Sequence, residues 1–430
     1  MMSFQDMLGC LPAPNLSYRQ AGMAAETLSQ IFPFLPEGWE EKCFELGVIK
    51  RQRGIKTAKD LMLLNLFHLV NGCSLMEISE IGRLLNIGKF SDVAYMNKFE
   101  KCEDWFAWIC EQFSHNIVAE HRKPEYLDNY RPIAFDATTV VEKGRSGRIY
   151  RLHYGIDIFN MSTVSYKITT VETGETLLNF SLQTGDLAIG DRAYGTLNSI
   201  DHCIKNGADF LLRLRTNWCK LYDHNGEEIS ITSTFQHLEA EECGEFQAFA
   251  RTKKGKMLPV RICARRKSDA DYKQTLKKLE RRESKKRCKT KDETKEFNKY
   301  IVVATSLPSN VASSDVLETY RYRWQVEIYF KRLKSIMDFG ELPKKRETSS
   351  LAWITGKLMV ALLVEFFLSS SPSDTKKNNR SIWREMKLIK LVVVTGFISL
   401  RQFFHEFKNI SINLQVEKRR GGARMQLLPP

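Results

Sequence analysis

The stretch YRYRWQVEIYFKRLKS, residues 320–335, decides how this chain is read. Its apolar residues predict one continuous helix. At about 100° per residue, Tyr320, Arg323, Glu327 and Lys334 then share a strip roughly 60° wide. Val326, Ile328, Tyr329, Phe330 and Leu333 cover most of the remaining circumference, which predicts a buried helix. A carboxylate, a guanidinium and an ammonium on a buried helix need compensation. An Arg323–Glu327 ion pair at i, i+4 is one explanation. A site for charged ligands is the other.

Two more acids stand out by context. RPIAFDATTV (131–140) predicts a short apolar strand with Asp136 at its end, and DLAIGDRAYG (186–195) a strand that runs into a loop at Asp191. Strand ends in an α/β sheet are where ligands sit. A lone Asp there is more often a cap or turn former, and Glu142 and Asp157 are competing acids on nearby strands. Carboxylates gathered without histidines or thiolates suit hard divalent ions such as Mg²⁺. Two such ions clamp the attacking and leaving oxygens of an in-line phosphoryl displacement. Arg323 and Lys334 would supply positive charge beside a phosphate. Tyr320 would stack or hydrogen-bond, and Arg192 and Lys331 are further candidate DNA contacts.

The rest reads as helices, an α/β core, and helices again. Residues 1–125 are predicted helical. TAKDLMLLNLFHLV (57–70) is apolar at helical spacing and stops at Asn71-Gly72. Ser74 and Glu77 form a capping-box pattern opening a helix to about Leu85. Asn86 to Gly88 breaks it, and Ser91 starts SDVAYMNKFEKCEDWFAWI as one further helix. Helix, glycine turn, helix fits a helix-turn-helix unit as well as an ordinary helical hairpin. From about 131 the texture changes. IYRLHYGIDIF (149–159), TVSYKITTV (163–171) and ADFLLRLR (208–215) predict strands, ETLLNFSLQ (175–183) a helix, and 196–206 another. That order predicts an α/β fold with a mixed sheet.

Residues 217–299 look inserted. They carry hairpin turns at Asn225-Gly226 and Lys254-Gly255. KQTLKKLERRESKKRCKTK (273–291) follows, with ten Lys/Arg against two Glu. It reads equally as a solvated face or a phosphate-tracking surface. YIVVATSLP (300–308) resumes the core, and Ser314 or Asp315 is placed to cap the helix of the 320–335 stretch. Further helices at 350–368 and 382–407 flank a polar linker (369–381), and the tail is basic. LMVALLVEFFL (358–368) is too short to span a bilayer and predicts a core helix.

Composition narrows the class. Across 430 residues, 43% hydrophobic and 27% charged content is that of a globular protein, and the length predicts several domains. A net charge of +14 favours a polyanionic partner. Ten cysteines without a CxxC pair exclude a zinc ribbon or thioredoxin-like motif and fit reduced thiols in a cytoplasm. The N-terminus has no basic segment followed by an apolar run, so no signal peptide is expected.

The three acidic motifs, in order, resemble the transposases of bacterial insertion sequences, in particular insertion-sequence family four. Tyr320, Arg323, Glu327 and Lys334 reproduce its Y-x2-R-x3-E-x6-K signature without a gap, FDATTV resembles its first catalytic Asp motif (Asp136), and IGDRAYGT its second (Asp191). The resemblance covers about residues 57–410. It implies an RNase H-like mixed-sheet core interrupted by a β-rich insertion and flanked by helical regions. The domains would be 1–125 for binding DNA ends, 126–216 and 300–368 for the catalytic core, 217–299 for the insertion with its basic helix, and 369–430 for a C-terminal helical region. It implies two Mg²⁺ (or Mn²⁺) ions held by Asp136, Asp191 and Glu327. It also implies contacts to end phosphates from Tyr320, Arg323 and Lys334, and a homodimer pairing two terminal inverted repeats in cut-and-paste movement, with no membrane role. Where relatives stack an insertion-domain Trp on a flipped base, this chain has Trp218, with Phe297 and Tyr300 as other aromatics. The same carboxylates would also serve a nuclease without strand transfer, and a catalytically silent DNA-binding regulator would keep the DNA contacts alone.

Overall fold

The computed structural model describes residues 18–370, apart from 117–122, 143, 145–146, 161, 217, 337 and 344–345. The helices expected at 382–407, most of the linker and the basic tail lie outside the described residues. In chain order, the first helices are α1 (Tyr18–Ser29), α2 (Trp39–Glu45), α3 (Ala58–Val70), α4 (Leu75–Leu84), α5 (Asp92–Phe99) and α6 (Glu103–Asn116). Strands β1 (Arg131–Glu142), β2 (Ile149–Asp157), β3 (Ser162–Thr170) and β4 (Asp186–Gly190) follow, then α7 (Leu197–Lys205) and β5 (Asp209–Arg213). The inserted segment holds β6 (Leu221–Tyr222), β7 (Glu228–Ile229), α8 (Ile231–Thr234), β8 (Cys243–Arg251), β9 (Met257–Arg266), α9 (Asp269–Lys286) and α10 (Asp292–Phe297). The chain continues with β10 (Tyr300–Thr305), α11 (Ser313–Arg321), α12 (Trp324–Ile336), β11 (Glu341–Leu342) and α13 (Glu347–Ser370).

Two compact units result. One takes the N-terminal helices together with Thr139–Tyr150 and the described residues from Phe330 onward; the other takes Arg151–Tyr329 and the start of β1 up to Thr138. In the first unit, Thr57 caps α3 by accepting a hydrogen bond from the Asp60 amide, and Ser74 and Glu77 form the full capping box of α4. Asn86 takes a left-handed backbone (φ 56°), which ends the run after α4. The expected single helix after Ser91 is two, α5 and α6, joined by a 3-10 turn at Glu100–Cys102. The tightened turn leaves Tyr95, Phe99, Cys102, Trp105, Phe106 and Ile109 all fully buried, which sets packing above helix continuity.

The apolar run at 358–368 belongs to a longer helix than the sequence suggests. α13 spans 24 residues, and its stretch Glu347–Val364 is long and apolar enough to cross a membrane by length and composition. Of that stretch, 78% is buried inside the protein, so this helix packs as a core element. Gly356 permits the close crossing, since a Cβ there would stand 2.7 Å from Leu69 and 3.0 Å from Phe106.

The second unit is built on one sheet with strand order β3-β2-β1-β4-β5-β10-β9-β8-β6-β7. β1, β4 and β5 are parallel neighbours, and β5, β10, β9 and β8 continue antiparallel. The 3-2-1-4-5 start is the mixed α/β core expected. The central strands are apolar throughout, as strands covered on both faces must be: Ile133–Phe135, Leu187–Ile189 and Phe210–Leu212 are all buried. ETLLNFSLQ forms only a 3-10 turn at Leu177–Asn179. The strands of the inserted segment extend the core sheet, because β9 pairs with β10 over six residues. Arg261 on β9, 2% exposed, donates to the carbonyls of Leu307 (3.3 Å), Pro308 (2.7 Å) and Val311 (2.6 Å) and pairs with Glu245. A buried guanidinium so fully paired fixes the loop that launches α11 and α12. Neither Ser314 nor Asp315 caps α11; Ala312 stands at its N-cap without a side-chain bond, and Arg261 holds the loop before it instead.

Candidate active site

Register brings the first two acids together. β1 and β4 pair in parallel from Arg131↔Asp186 to Phe135↔Gly190. Asp136 and Asp191 are the next residue on each strand, side by side at the carboxyl end of the pairing. The sequence reading placed Asp136 at the end of its strand. β1 instead runs on to Glu142, and Asp136 sits in mid-strand, where pairing with β4 stops. Asp136 Oδ1 accepts from the Ala137 amide (2.8 Å) and Asp191 Oδ1 from the Ala193 amide (2.7 Å). The two competing acids have local structural work. Asp157 accepts from the amides of Phe159 (3.0 Å) and Asn160 (2.9 Å) to close the turn after β2, and Glu142 accepts from the Arg148 amide (3.0 Å).

Glu327 joins them through Arg323. Its guanidinium lies 2.6 Å from Glu327 Oε1 and 3.7 Å from Asp136 Oδ2, so one cation spans both carboxylates. The expected continuous helix over 320–335 is broken here. Tyr320 ends up on α11, Arg323 lies in the junction, and Glu327 and Lys334 are on α12. The junction is closed by short i→i+3 bonds, Tyr322 to Thr319 (3.1 Å), Arg323 to Tyr320 (3.1 Å) and Gln325 to Tyr322 (2.9 Å). The kink carries Arg323 over the Tyr320 ring, 5.8 Å from its centre. Nor is α12 buried all round: Val326, Tyr329 and Leu333 are, but Trp324, Lys331 and Lys334 are exposed and Glu327 keeps 38% of its side chain in solvent. Lys331 and Lys334 belong to the part of α12 that goes with the first unit.

Burial, above all, pushes the Asp136 carboxyl up to about 6; Asp191 and Glu327 raise it further, while the Ala137 amide and Arg323 pull against them. Three residues that the sequence reading missed shape this corner. Trp324 donates its indole N–H to Glu327 Oε2. Tyr194 is fully buried with no hydrogen-bond partner for its hydroxyl, and burial followed by the fields of Asp136, Glu175 and Asp191 holds that hydroxyl well above its ordinary range. Arg213, beside Arg192, depresses the Arg192 guanidinium after burial has done so. None of these side chains carries a pattern that distinguishes it from core or surface filling. Phe297 and Tyr300 are core residues, 5% exposed each, while Trp218 lines an open cavity of about 800 Å³ with Thr196, Arg215 and Lys254.

Among the described residues, no three His, Cys, Asp or Glu side chains already converge on a common ligating point. The donor chemistry nevertheless suits a hard divalent cation. There are three carboxylates and no softer ligand, Asp136 feels the other two, and a guanidinium stands between Asp136 and Glu327 as a cation would.

The strand order 3-2-1-4-5 in a mixed sheet is that of an RNase H-like core. A family model of the transposase DDE domain matches residues 129–363, and the chain belongs to that family, whose members are enzymes of DNA cleavage and strand transfer that work with divalent metal ions. The transposase for insertion sequence element IS421 of Escherichia coli is 25% identical over 346 residues, 78% of this chain and 92% of the relative. InsL, the transposase candidate of insertion sequence element IS186A of Escherichia coli K12, is 25% identical over 345 residues with the same coverage. The transposase for insertion sequence element IS231F of Bacillus thuringiensis subsp. israelensis is 27% identical over 231 residues, 50% of this chain and 48% of the relative.

Proposed function

We propose that this chain moves an insertion sequence by binding its terminal inverted repeats, cutting at the element boundary and joining the freed end to target DNA. The observation that carries this is the β1–β4 register, which sets Asp136 beside Asp191, together with the Arg323 bridge from Asp136 to Glu327. Asp136, Asp191 and Glu327 would hold two Mg²⁺ or Mn²⁺ ions, which supply the Lewis-acid chemistry that activates water and neutralises phosphate charge.

The protein's own side chains do the positioning. The Ala137 and Ala193 amides orient the two aspartates, and the Trp324 indole orients Glu327. Arg323 is set to exchange carboxylate partners for a phosphodiester, which a guanidinium grips in the same two-pronged way. Tyr320, Arg192, Lys331 and Lys334 would contact the remaining end phosphates. Residues 1–125 would read the repeat, with α4 and α5 as its helix pair. Residues 217–299 and 369–430 would extend DNA contact and pairing of two copies in a cytoplasmic complex on the nucleoid.

The test is a labelled duplex bearing the element's terminal repeat, incubated with purified protein in Mg²⁺ or EDTA. Mg²⁺-dependent cuts at the boundary, absent with Glu327→Ala, are expected. Equal cutting by Asp136→Ala, Asp191→Ala and Glu327→Ala would remove these residues from the site. Cutting without joining of the cut end would leave a nuclease.

A further inference from the structure

The helix α9 arranges its cations in two rows. Lys273, Lys277, Arg281 and Lys285 follow one another at i, i+4, and Lys278, Arg282 and Lys286 do the same beside them. All seven are exposed. The opposite face, Tyr272, Thr275, Leu276, Leu279 and Glu283, is half-buried and fastens the helix: the Tyr272 hydroxyl donates to the Lys295 carbonyl (3.3 Å), and Glu283 accepts from the Thr290 amide (2.8 Å). The rows contain like-charge i, i+4 neighbours at 273–277, 277–281, 281–285, 278–282 and 282–286, each of which destabilises a helix. No acidic side chain of the described residues lies within ion-pairing distance of any of the seven. Repulsion left standing along a helix about 20 Å long from first to last cation is relieved by a polyanion laid against it.

The rows also lead back to the active site. Lys267, just before the helix cap Ser268, donates to the Asn298 carbonyl (2.7 Å), and Arg192 donates to the Asn298 side chain (3.2 Å). Nε of Arg192 and Nε of Arg213 are buried without a hydrogen-bond partner. Burial, then Arg213 and Arg192, and also Lys278, depress the Lys267 ammonium to about 8. Cations therefore succeed one another from the residue after Asp191, through Arg213 and Lys267, to Lys278 in the rows.

We propose that this succession is a docking track for one backbone of duplex DNA, reaching from the Asp191 side of the active site along the solvent face of α9. It rests on the DNA-transposing reading for the identity of the polyanion. A duplex fits better than an unpaired strand, because the outer face of α9 offers no aromatic ring for bases to stack on.

The test uses the full chain and a fluorescent duplex, with anisotropy read across a salt series. Replacing three cations of one row, Lys277→Ala, Arg281→Ala and Lys285→Ala together, is expected to lower the salt slope by about 2.7. Between about 50 and 200 mM salt the parent then loses about 40-fold more affinity than the variant. A second variant, Lys277→Arg with Lys285→Arg, is expected to keep the parent slope. The thermal midpoint of the alanine variant should be unchanged or raised, since repulsion has been removed. An unchanged slope in the alanine variant overturns the track even if the parent cuts DNA. Equal losses in the arginine variant, or a slope change confined to single-stranded DNA or RNA, overturn it too. A parent that binds duplex through α9 but never cuts would leave the track standing and sink the catalytic reading; a parent that binds no duplex sinks both.

Discussion

The carboxyl ends of β1 and β4 and the solvent face of α9 both crowd like charges, and they manage the crowding differently. At the strand ends the acids are few and Asp136 is mostly buried, and a single guanidinium answers it together with Glu327 on α12. On α9 the cations are many and exposed, and water screens what no acid neutralises. In a half-buried corner, screening is weak and each charge must be met by a specific partner, so the arrangement is exact about which ligand it admits. On a solvated helix each contact is worth little and number replaces geometry. On the proposed reading, the first region serves chemistry at one phosphate and the second holds many phosphates in line.

The largest effect should come from breaking the sparse region. Asp136→Asn, Asp191→Asn or Glu327→Gln is expected to reduce end cleavage by about 10³-fold or more while leaving the fold intact, read by a gel assay beside thermal melting. The triple alanine variant of α9 comes next, with its loss spread over salt concentration and not over chemistry. Arg323→Gln tests the bridge between the two styles. It removes a cation beside Asp136, so that carboxyl should titrate higher than about 6. The acid limb of the cleavage profile is expected to move up by about one pH unit, with a cleavage loss on the order of tenfold or more.

Stability against pH sharpens the comparison. The Asp136 carboxyl is raised to about 6 in the fold, from an ordinary value of 3.8. The folded state therefore holds this proton more tightly than the unfolded chain. Stability should fall as pH rises from about 4 through about 6, by about 2–3 kcal/mol, and the slope should flatten in Asp136→Asn, as chemical denaturation at several pH values would show. The smallest effect is expected from Trp324→Phe. Glu327 keeps Arg323 but loses one hydrogen bond, and cleavage should drop about fivefold. A drop as large as that of Glu327→Gln would make the indole indispensable and break the contrast between ligand and support.

Much of the fold could be read from local pattern. The capping box at Ser74, the hairpin turns at Asn225 and Lys254 and the apolar strands at 131, 186 and 300 all form where backbone chemistry asks for them. What pattern misjudged was continuity. The 320–335 stretch has helical periodicity on both sides of Tyr322, so periodicity gave no sign that the chain kinks there. Likewise α5 and α6 share one apolar pattern across a 3-10 break. The candidate acids were legible as a set only because three motifs occur in order. Tyr194, Arg213 and Lys267 were not, since each acquires its meaning from neighbours far away in sequence; nor was Trp324, whose bond to Glu327 three residues on depends on the turn into α12.

The sequence by itself determined the family, the candidate acids and cations, and most of the strands and helices. These depend on residue type and short spacing. Only the tertiary structure decided that the spacing of 55 residues between Asp136 and Asp191 is the β1–β4 register, since Phe135 pairs with Gly190 at the same offset. Only it decided that the insertion extends the core sheet and pins the α11 loop through Arg261, and that one guanidinium spans Asp136 and Glu327. The physical reason is that charge compensation and strand register are pairings between distant segments, and a periodic pattern records only what lies within a few turns of itself.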